Sequence, residues 1–198
     1  MKRFCSVLLT FALLFSLSGC LGIRPTEPSD KPYVIGFSQV GSESDWRVAN
    51  TKSVTAAFAS DTGYELIMEN ARQEQENQFA AVRRFILEGV DFIIIAPTVE
   101  EGWDTILQEI RDAKIPVIIV DRSVAVDDDN LFLTNIGSDF LRQGNLAVEW
   151  LEGEIPADKT AKILHLQGTI GATAQILRTK ALEDAAANHS NWEITSQL

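Results

Sequence analysis

The chain has 198 residues, of which 45% are hydrophobic and 23% are charged, so its length allows one large domain or two small ones and its composition indicates no functional class. Its formal net charge of −11 argues against nucleic-acid binding, which needs a basic surface, and against capture of an anionic ligand by charge alone.

Residues 1–19 have the pattern of an export signal. Lys2 and Arg3 precede an apolar run that is shorter than the roughly 20 residues needed to span a bilayer. The run ends in Leu-Ser-Gly immediately before Cys20, an arrangement that resembles the lipobox of bacterial lipoproteins. The resemblance implies removal of residues 1–19 and lipidation of Cys20, which would hold the protein in the cell envelope, in the periplasm or on the outer face of the cell membrane. The alternative is an ordinary signal peptide in which Cys20 has no role.

Removal of this signal would change the rest of the chain in two ways. It takes away Lys2 and Arg3 but no acidic residue, so the formal net charge moves from −11 to −13. It also leaves Cys20 as the one remaining cysteine, so neither a disulfide nor a cysteine metal site is expected. Residues 20–31 are a predicted tether, because this part of the chain is rich in proline and lacks apolar periodicity.

Four apolar runs rich in β-forming residues follow the tether, spaced by about the 30 residues of a β-α-β unit. The runs Ile93–Ile95 and Val117–Val120 do not alternate with polar residues, which indicates parallel strands covered by helices on both faces. Between the runs, helical patterns place apolar residues on one face. The predicted strands are 33–37, 64–68, 92–96 and 116–120, and the predicted apolar faces are Phe79, Val82, Phe85 and Ile86, then Trp103, Ile106, Leu107 and Ile110.

The pattern of strands and helices repeats beyond this lobe. It predicts strands over 131–136 and 161–166, helices over 140–151 and 171–187, and the beginning of another strand over 191–195. The first of these helices has Leu146, Ala147, Trp150 and Leu151 on its predicted apolar side. If the chain ends at Leu198, we expect the second lobe to leave apolar strand faces uncovered, and a truncated fragment that does not bind ligand is then an alternative.

A polar loop over Ser38–Arg47 follows the first predicted strand, at the position where open α/β sheets bind ligands. Trp46 offers a ring that can stack on the C–H face of a sugar. Arg47 and Arg122 can each donate paired hydrogen bonds to neighbouring hydroxyl groups, and Asp121 can accept from them. These residue types favour a polyhydroxylated ligand.

Other motifs support no chemistry. The stretch Gly36–Gly41 lacks the spacing of a nucleophile elbow, and Gly168–Gly171 is a tight turn without phosphate-binding spacing. Neither histidine has a partner at metal-ligand spacing, so no metal and no cofactor are expected. The polar stretch Arg72–Gln78 is a predicted solvated helix start.

Several short motifs in this order resemble the periplasmic sugar-binding proteins of ABC importers, in the type I ribose and galactose group, and most closely the galactofuranose-binding branch. They are Gly36-Phe37-Ser38-Gln39, Ser42-Glu43-Ser44, Trp46-Arg47, Gln75-Glu76-Asn77-Gln78, Ala96-Pro97, Ile115-Pro116-Val117, Asp121-Arg122-Ser123 and Gln167-Gly168-Thr169.

The resemblance implies an α/β fold of two Rossmann-like lobes with doubly wound parallel sheets that close over one sugar. Residues 32–137 then form the first lobe, and 138–198 form the start of an incomplete second lobe. Members similar to this chain tend to carry glycine where Asp45 stands, so Asp45 is expected to place a carboxylate at the mouth of the site. The implied ligand-binding residues are Glu43, Ser44, Asp45, Trp46, Arg47, Asp121, Arg122 and Arg178.

The implied function is that of a monomeric, lipid-anchored binding protein, not an enzyme. It would capture a neutral monosaccharide, galactofuranose or a related furanose, and present it to an ABC permease in the membrane. The alternative partner is a chemoreceptor or sensor kinase, which the same lobes could serve. An α/β enzyme is a weaker third hypothesis.

Overall fold

The computed structural model describes residues 31–59 and 62–198. The predicted export signal, Cys20 and all of the tether except Lys31 lie outside the described residues. Within the described ranges, no helix has both the length and the apolar character needed to cross a membrane.

Five parallel strands form the main sheet, in the order β2-β1-β3-β4-β5. The chain moves outward from β1 to β2 and then returns to the other side of β1, which places the topological switch between β1 and β3. This order confirms the predicted doubly wound sheet. The strands are β1 (Tyr33–Gln39), β2 (Tyr64–Asn70), β3 (Phe92–Ile95), β4 (Val117–Asp121) and β5 (Thr134–Gly137).

A second, separate sheet holds two further parallel strands. These strands are β6 (Ala161–His165) and β7 (Trp192–Gln197), so the predicted strand at the end of the chain is present. The helices are α1 (Asp45–Ala57), α2 (Gln75–Glu88), α3 (Asp104–Asp112), α4 (Phe140–Glu154) and α5 (Thr173–Asn188). The fifth strand was predicted over 131–136 and begins only at Thr134, because a short 3-10 helix, Asp129–Leu131, includes the first predicted residue.

Both faces of the main sheet are covered, as its unbroken apolar strands predict. One face packs against α2 and α3, where the predicted stripe from Trp103 to Ile110 is at most 1% exposed. The other face buries Ile35, Phe37 and Ile94 beneath partly buried side chains of α1 and the residues after it. Full burial of an aliphatic or aromatic side chain contributes about 1.5–3 kcal/mol, so these two clusters dominate the stability of the sheet.

The prediction for α4 was wrong about which face is buried. Trp150 is 65% exposed and Leu146 is 47% exposed, whereas Phe140 and Gly144 are buried. Gly144 decides the orientation, because a Cβ atom there would lie 2.6 Å from the Cβ of Ala181 on α5. The two helices approach too closely for a larger side chain, and this contact turns Trp150 outward.

The N-terminus of α5 joins the second sheet region to the first. The hydroxyl group of Thr173 donates to the carbonyl oxygen of Ser123 and accepts from its backbone N–H group, both at 3.1 Å. The N–H group of Glu100 donates to the carbonyl oxygen of Gly171 at 2.9 Å. These bonds bring α5 against the loops that follow β3 and β4, and Pro32–Leu198 forms one compact unit.

Candidate ligand-binding site

The loop between β1 and α1 is held by its own helix cap and by the neighbouring loop. The hydroxyl oxygen of Ser44 accepts from the N–H group of Arg47 at 3.2 Å, which caps α1. The N–H group of Gln73 donates to the carbonyl oxygen of Val40 at 2.7 Å. The loop therefore has a fixed shape at the carboxyl end of β1.

Arg47 lies in the first turn of α1 with only 3% of its side chain exposed. Its Nε donates to Glu43 at 3.2 Å, and its Nη2 donates to Asp121 of β4 at 2.7 Å. Its Nη1 is buried and has no hydrogen-bond partner among the described residues. Buried polar groups are normally hydrogen-bonded, so this nitrogen is a donor that a bound oxygen can satisfy.

Asp121 adopts an uncommon backbone conformation at the end of β4. Its φ angle is +66°, in the left-handed region that non-glycine residues rarely occupy. Gly137, its register partner on β5, makes this possible, because a Cβ atom at 137 would lie 2.2 Å from the carbonyl oxygen of Asp121. The close approach of these two strands thus directs Asp121 toward Arg47.

Arg122 lies beside this pair and is nearly buried. Its Nη1 donates to the carbonyl oxygen of Thr98 at 2.6 Å, and its own carbonyl oxygen accepts from Asn135 at 3.1 Å. Burial lowers the pKa of the Arg122 guanidinium, the like charge of Arg47 acts in the same direction, and the carboxylate of Asp121 opposes them. Arginine still remains protonated at neutral pH, so the site holds two adjacent cations.

Arg178 reaches the same place from α5. Its Nε and Nη2 donate to the amide oxygen of Gln143 on α4, at 3.1 and 2.5 Å. Its guanidinium carbon lies 5.1 Å from the centroid of the Phe140 ring, within the range of a cation–π contact. Trp46, whose ring lies 4.9 Å from the guanidinium carbon of Arg47, remains 56% exposed and available for stacking.

These side chains line one cleft with a volume of about 380 Å³. The structure brings seven of the eight predicted site residues to it, and Asp45 does not line it. Asp45 is exposed in the first turn of α1, where the negative charge of a carboxylate interacts favourably with the helix dipole and stabilises the helix. The lining residues are Glu43, Ser44, Trp46, Arg47, Asp121, Arg122, Ser138, Phe140, Gln143, Ala174 and Arg178.

Sequence reasoning missed four of the lining residues, namely Ser138, Phe140, Gln143 and Ala174. They belong to the starts of α4 and α5 or to the crossing before α4. The sequence contained a usable signal, because the predicted boundary between the two lobes falls at 138, and a segment that joins two lobes is expected to border the space between them. Phe140 was placed inside a predicted helix without being assigned to the site.

A larger cavity of about 440 Å³ lies between α4, α5 and β6. Its walls are mostly apolar side chains, including Ala147, Leu151 and Ile163. It contains far fewer convergent polar groups than the smaller cleft, and such groups give a site its specificity. The smaller cleft is therefore the better candidate for a polar ligand. Among the residues that the structure describes, no cluster of His, Cys, Asp or Glu could hold a metal ion.

A doubly wound parallel sheet with a polar cleft at the carboxyl ends of its strands, faced by a second α/β segment, is the architecture of a ligand-capturing α/β protein. The family described as periplasmic binding protein domain matches residues 35–197. The chain belongs to this family, and its fold is the type I periplasmic-binding-protein fold with an incomplete second lobe. It is thus grouped with binding proteins and not with enzymes.

The most similar proteins include both curated and solved relatives. The chain is 44% identical to the galactofuranose-binding protein YtfQ of Escherichia coli K12 over 82% of this chain and 51% of that protein. A crystal structure of a galactofuranose binding protein is 42% identical, with a TM-score of 0.79, over 84% of this chain and 56% of that one. The arabinose-transporter binding protein of Shewanella sp. ANA-3, bound to L-arabinofuranose, is 48% identical, with a TM-score of 0.76, over 83% and 54%. The chain spans about half the length of these relatives.

Proposed function

We propose that this protein captures a neutral monosaccharide, a furanose such as galactofuranose, and delivers it unchanged to an ABC permease. The observation that carries the proposal is the buried Nη1 of Arg47, a charged donor on a side chain that lines the cleft, which has no partner among the described residues. A sugar hydroxyl group accepts such a hydrogen bond without bringing a charge of its own.

The charges around the cleft favour a neutral ligand with several hydroxyl groups. Glu43 and Asp121 offset the charge of Arg47, so the carboxylates and guanidinium groups form a mixed surface. A hydroxyl group both donates and accepts, and it can therefore bridge a guanidinium and a carboxylate side by side. Trp46 adds an exposed ring for the C–H face of the sugar.

The magnitudes are consistent with a transport protein. A micromolar dissociation constant corresponds to about −8 kcal/mol. Hydrogen bonds to charged groups contribute about 1.5–3 kcal/mol each, so Arg47, Arg122 and Arg178 with one stacked ring can reach that value after the cost of ordering the ligand. The contacts of α5 with the loops that follow β3 and β4 support the further proposal that the two lobes close over the sugar.

The names of the relatives support two parts of the proposal, the furanose ring form of the sugar and the ABC permease as the partner. One curated and one solved relative are named for galactofuranose, and another was solved with arabinofuranose as part of an arabinose ABC transporter. A permease gene and an ATPase gene next to this one would support the importer, whereas a neighbouring sensor-kinase gene would favour a sensor.

Calorimetric titration of the full-length protein with galactofuranose, ribose and galactose tests the proposal. We expect micromolar binding of galactofuranose and weaker binding of the other two sugars, with quenching of tryptophan fluorescence that disappears in Trp46→Phe. The absence of heat with all three sugars would overturn the sugar assignment.

Two scattering measurements test closure of the lobes and the oligomeric state. Small-angle scattering should show a smaller radius of gyration with sugar, and light scattering should show a monomer.

Cys20 is the proposed site of the lipid anchor, on the basis of the sequence before it. In cells fed labelled palmitate, the wild-type protein should incorporate label and appear in the membrane fraction. Cys20→Ser should lose the label, because the residue that carries the acyl group is then absent. Equal labelling of both proteins would rule out Cys20 as the anchor.

A further inference from the structure

Gln78 is a fully buried polar residue on α2, in a stretch that the sequence predicted to be solvated. That prediction was wrong for this position. Its amide oxygen accepts from the N–H and hydroxyl groups of Thr98, both at 2.8 Å. Its amide nitrogen donates to the carbonyl oxygen of Ala96 at 2.7 Å and to the hydroxyl group of Ser38 at 3.4 Å. Every hydrogen-bonding group of the Gln78 side chain is therefore engaged.

These bonds fix the loop after β3 at Thr98, the residue on which Arg122 depends. Two donors of Thr98 are tied to one oxygen of Gln78, so its backbone cannot rotate freely. The carbonyl oxygen of Thr98 in turn accepts from Nη1 of Arg122 at 2.6 Å. Gln78, Thr98 and Arg122 thus form a chain of hydrogen bonds from the buried face of α2 to the cleft.

We propose that Gln78 is a positioning residue for ligand binding, which sets the direction of the Arg122 guanidinium through the Thr98 carbonyl group. With Nη1 held, the Nε and Nη2 groups of Arg122 make no hydrogen bond to any other described residue, and they form a forked donor for neighbouring hydroxyl groups. Gln78 itself does not line the cleft. The effect on sugar affinity rests on the proposed function, whereas the effect on Arg122 does not.

A double-mutant cycle in the full-length protein tests this role. Gln78→Met keeps the approximate length of the side chain and removes its hydrogen bonds, and we expect it to weaken galactofuranose binding about tenfold. In an Arg122→Met background the same substitution should change the dissociation constant less than twofold, because the group that it positions is already gone. Equal losses in both backgrounds, or no loss in either, would overturn the proposal.

Two further measurements separate positioning from lost stability and from a wrong ligand. Ile106→Val thins the same core from α3 without touching this chain of bonds, and it should lower the melting temperature without changing galactofuranose affinity. A crystal structure of unliganded Gln78→Met should show Arg122 turned away from Thr98. An Arg122 side chain in the same position as in the wild-type protein would contradict the proposal, whether or not the protein binds galactofuranose. Absence of galactofuranose binding would by itself count only against the proposed function.

Discussion

Arg47→Met should have the largest effect of any single substitution in the cleft. We expect the free energy of unfolding to fall by about 3 kcal/mol, because removal of Arg47 leaves the Asp121 carboxylate, whose side chain is only 12% exposed, without its ion-pair partner. Galactofuranose affinity should fall about 100-fold, the equivalent of one lost charge-assisted hydrogen bond. Urea unfolding and calorimetric titration of the full-length protein measure the two quantities.

Two comparison variants separate stability from binding. Arg83→Met removes an exposed, bidentate pair with Glu109 that joins α2 to α3 and does not line the cleft. It should lower the free energy of unfolding by no more than about 1 kcal/mol and leave binding unchanged. Adding Asp121→Asn to Arg47→Met should recover part of the stability, since both charges are then absent, but should leave binding impaired. Normal affinity in Arg47→Met would show that Arg47 is not a ligand-binding residue.

Gly137→Ala is the second substitution with a large expected effect. The added Cβ atom would lie 2.2 Å from the carbonyl oxygen of Asp121, so the ends of β4 and β5 must separate. Overpacking of this kind costs about 1–3 kcal/mol. The same shift moves Asp121 away from Arg47, so we also expect a loss of galactofuranose affinity of about tenfold or more, measured with the same two assays.

Gly153→Ala provides the matched control. Gly153 lies in the last turn of α4, and a Cβ atom there would meet no atom within 4 Å. Alanine favours a helix over glycine by up to about 1 kcal/mol, so this change should leave stability the same or raise it, with no effect on binding. Equal stabilities of the two variants would show that the close approach at Gly137 carries no strain.

The pattern of apolar residues was sufficient to predict the main sheet and its cover. Runs such as Ile93–Ile95 have no polar alternation, and a strand of that kind is stable only between two layers of helices. The stripe from Trp103 to Ile110 likewise predicted one buried helix face. These features depend on residues that are close together in sequence, so the local pattern of apolar residues is enough to predict them.

The same local patterns failed for α4 and for Gln78. On α4 the packing of Gly144 against Ala181 selects the buried face, and those residues are 37 positions apart in sequence. Gln78 is buried because four groups near the ends of β1 and β3 satisfy its amide, so its polarity gave no indication of its position. Tertiary contacts overrode hydrophobic periodicity in both places.

The sequence by itself determined the order of the elements, the position of the polar loop at the end of β1, and the residue types suited to a sugar. Only the tertiary structure decided how those residues meet. The ion pair of Arg47 with Asp121 joins positions 74 residues apart, and it forms because parallel strands bring their carboxyl ends to one edge. The free donor on Arg47 and the fixed direction of Arg122 follow from that meeting, since a hydrogen bond depends on distance and angle in space.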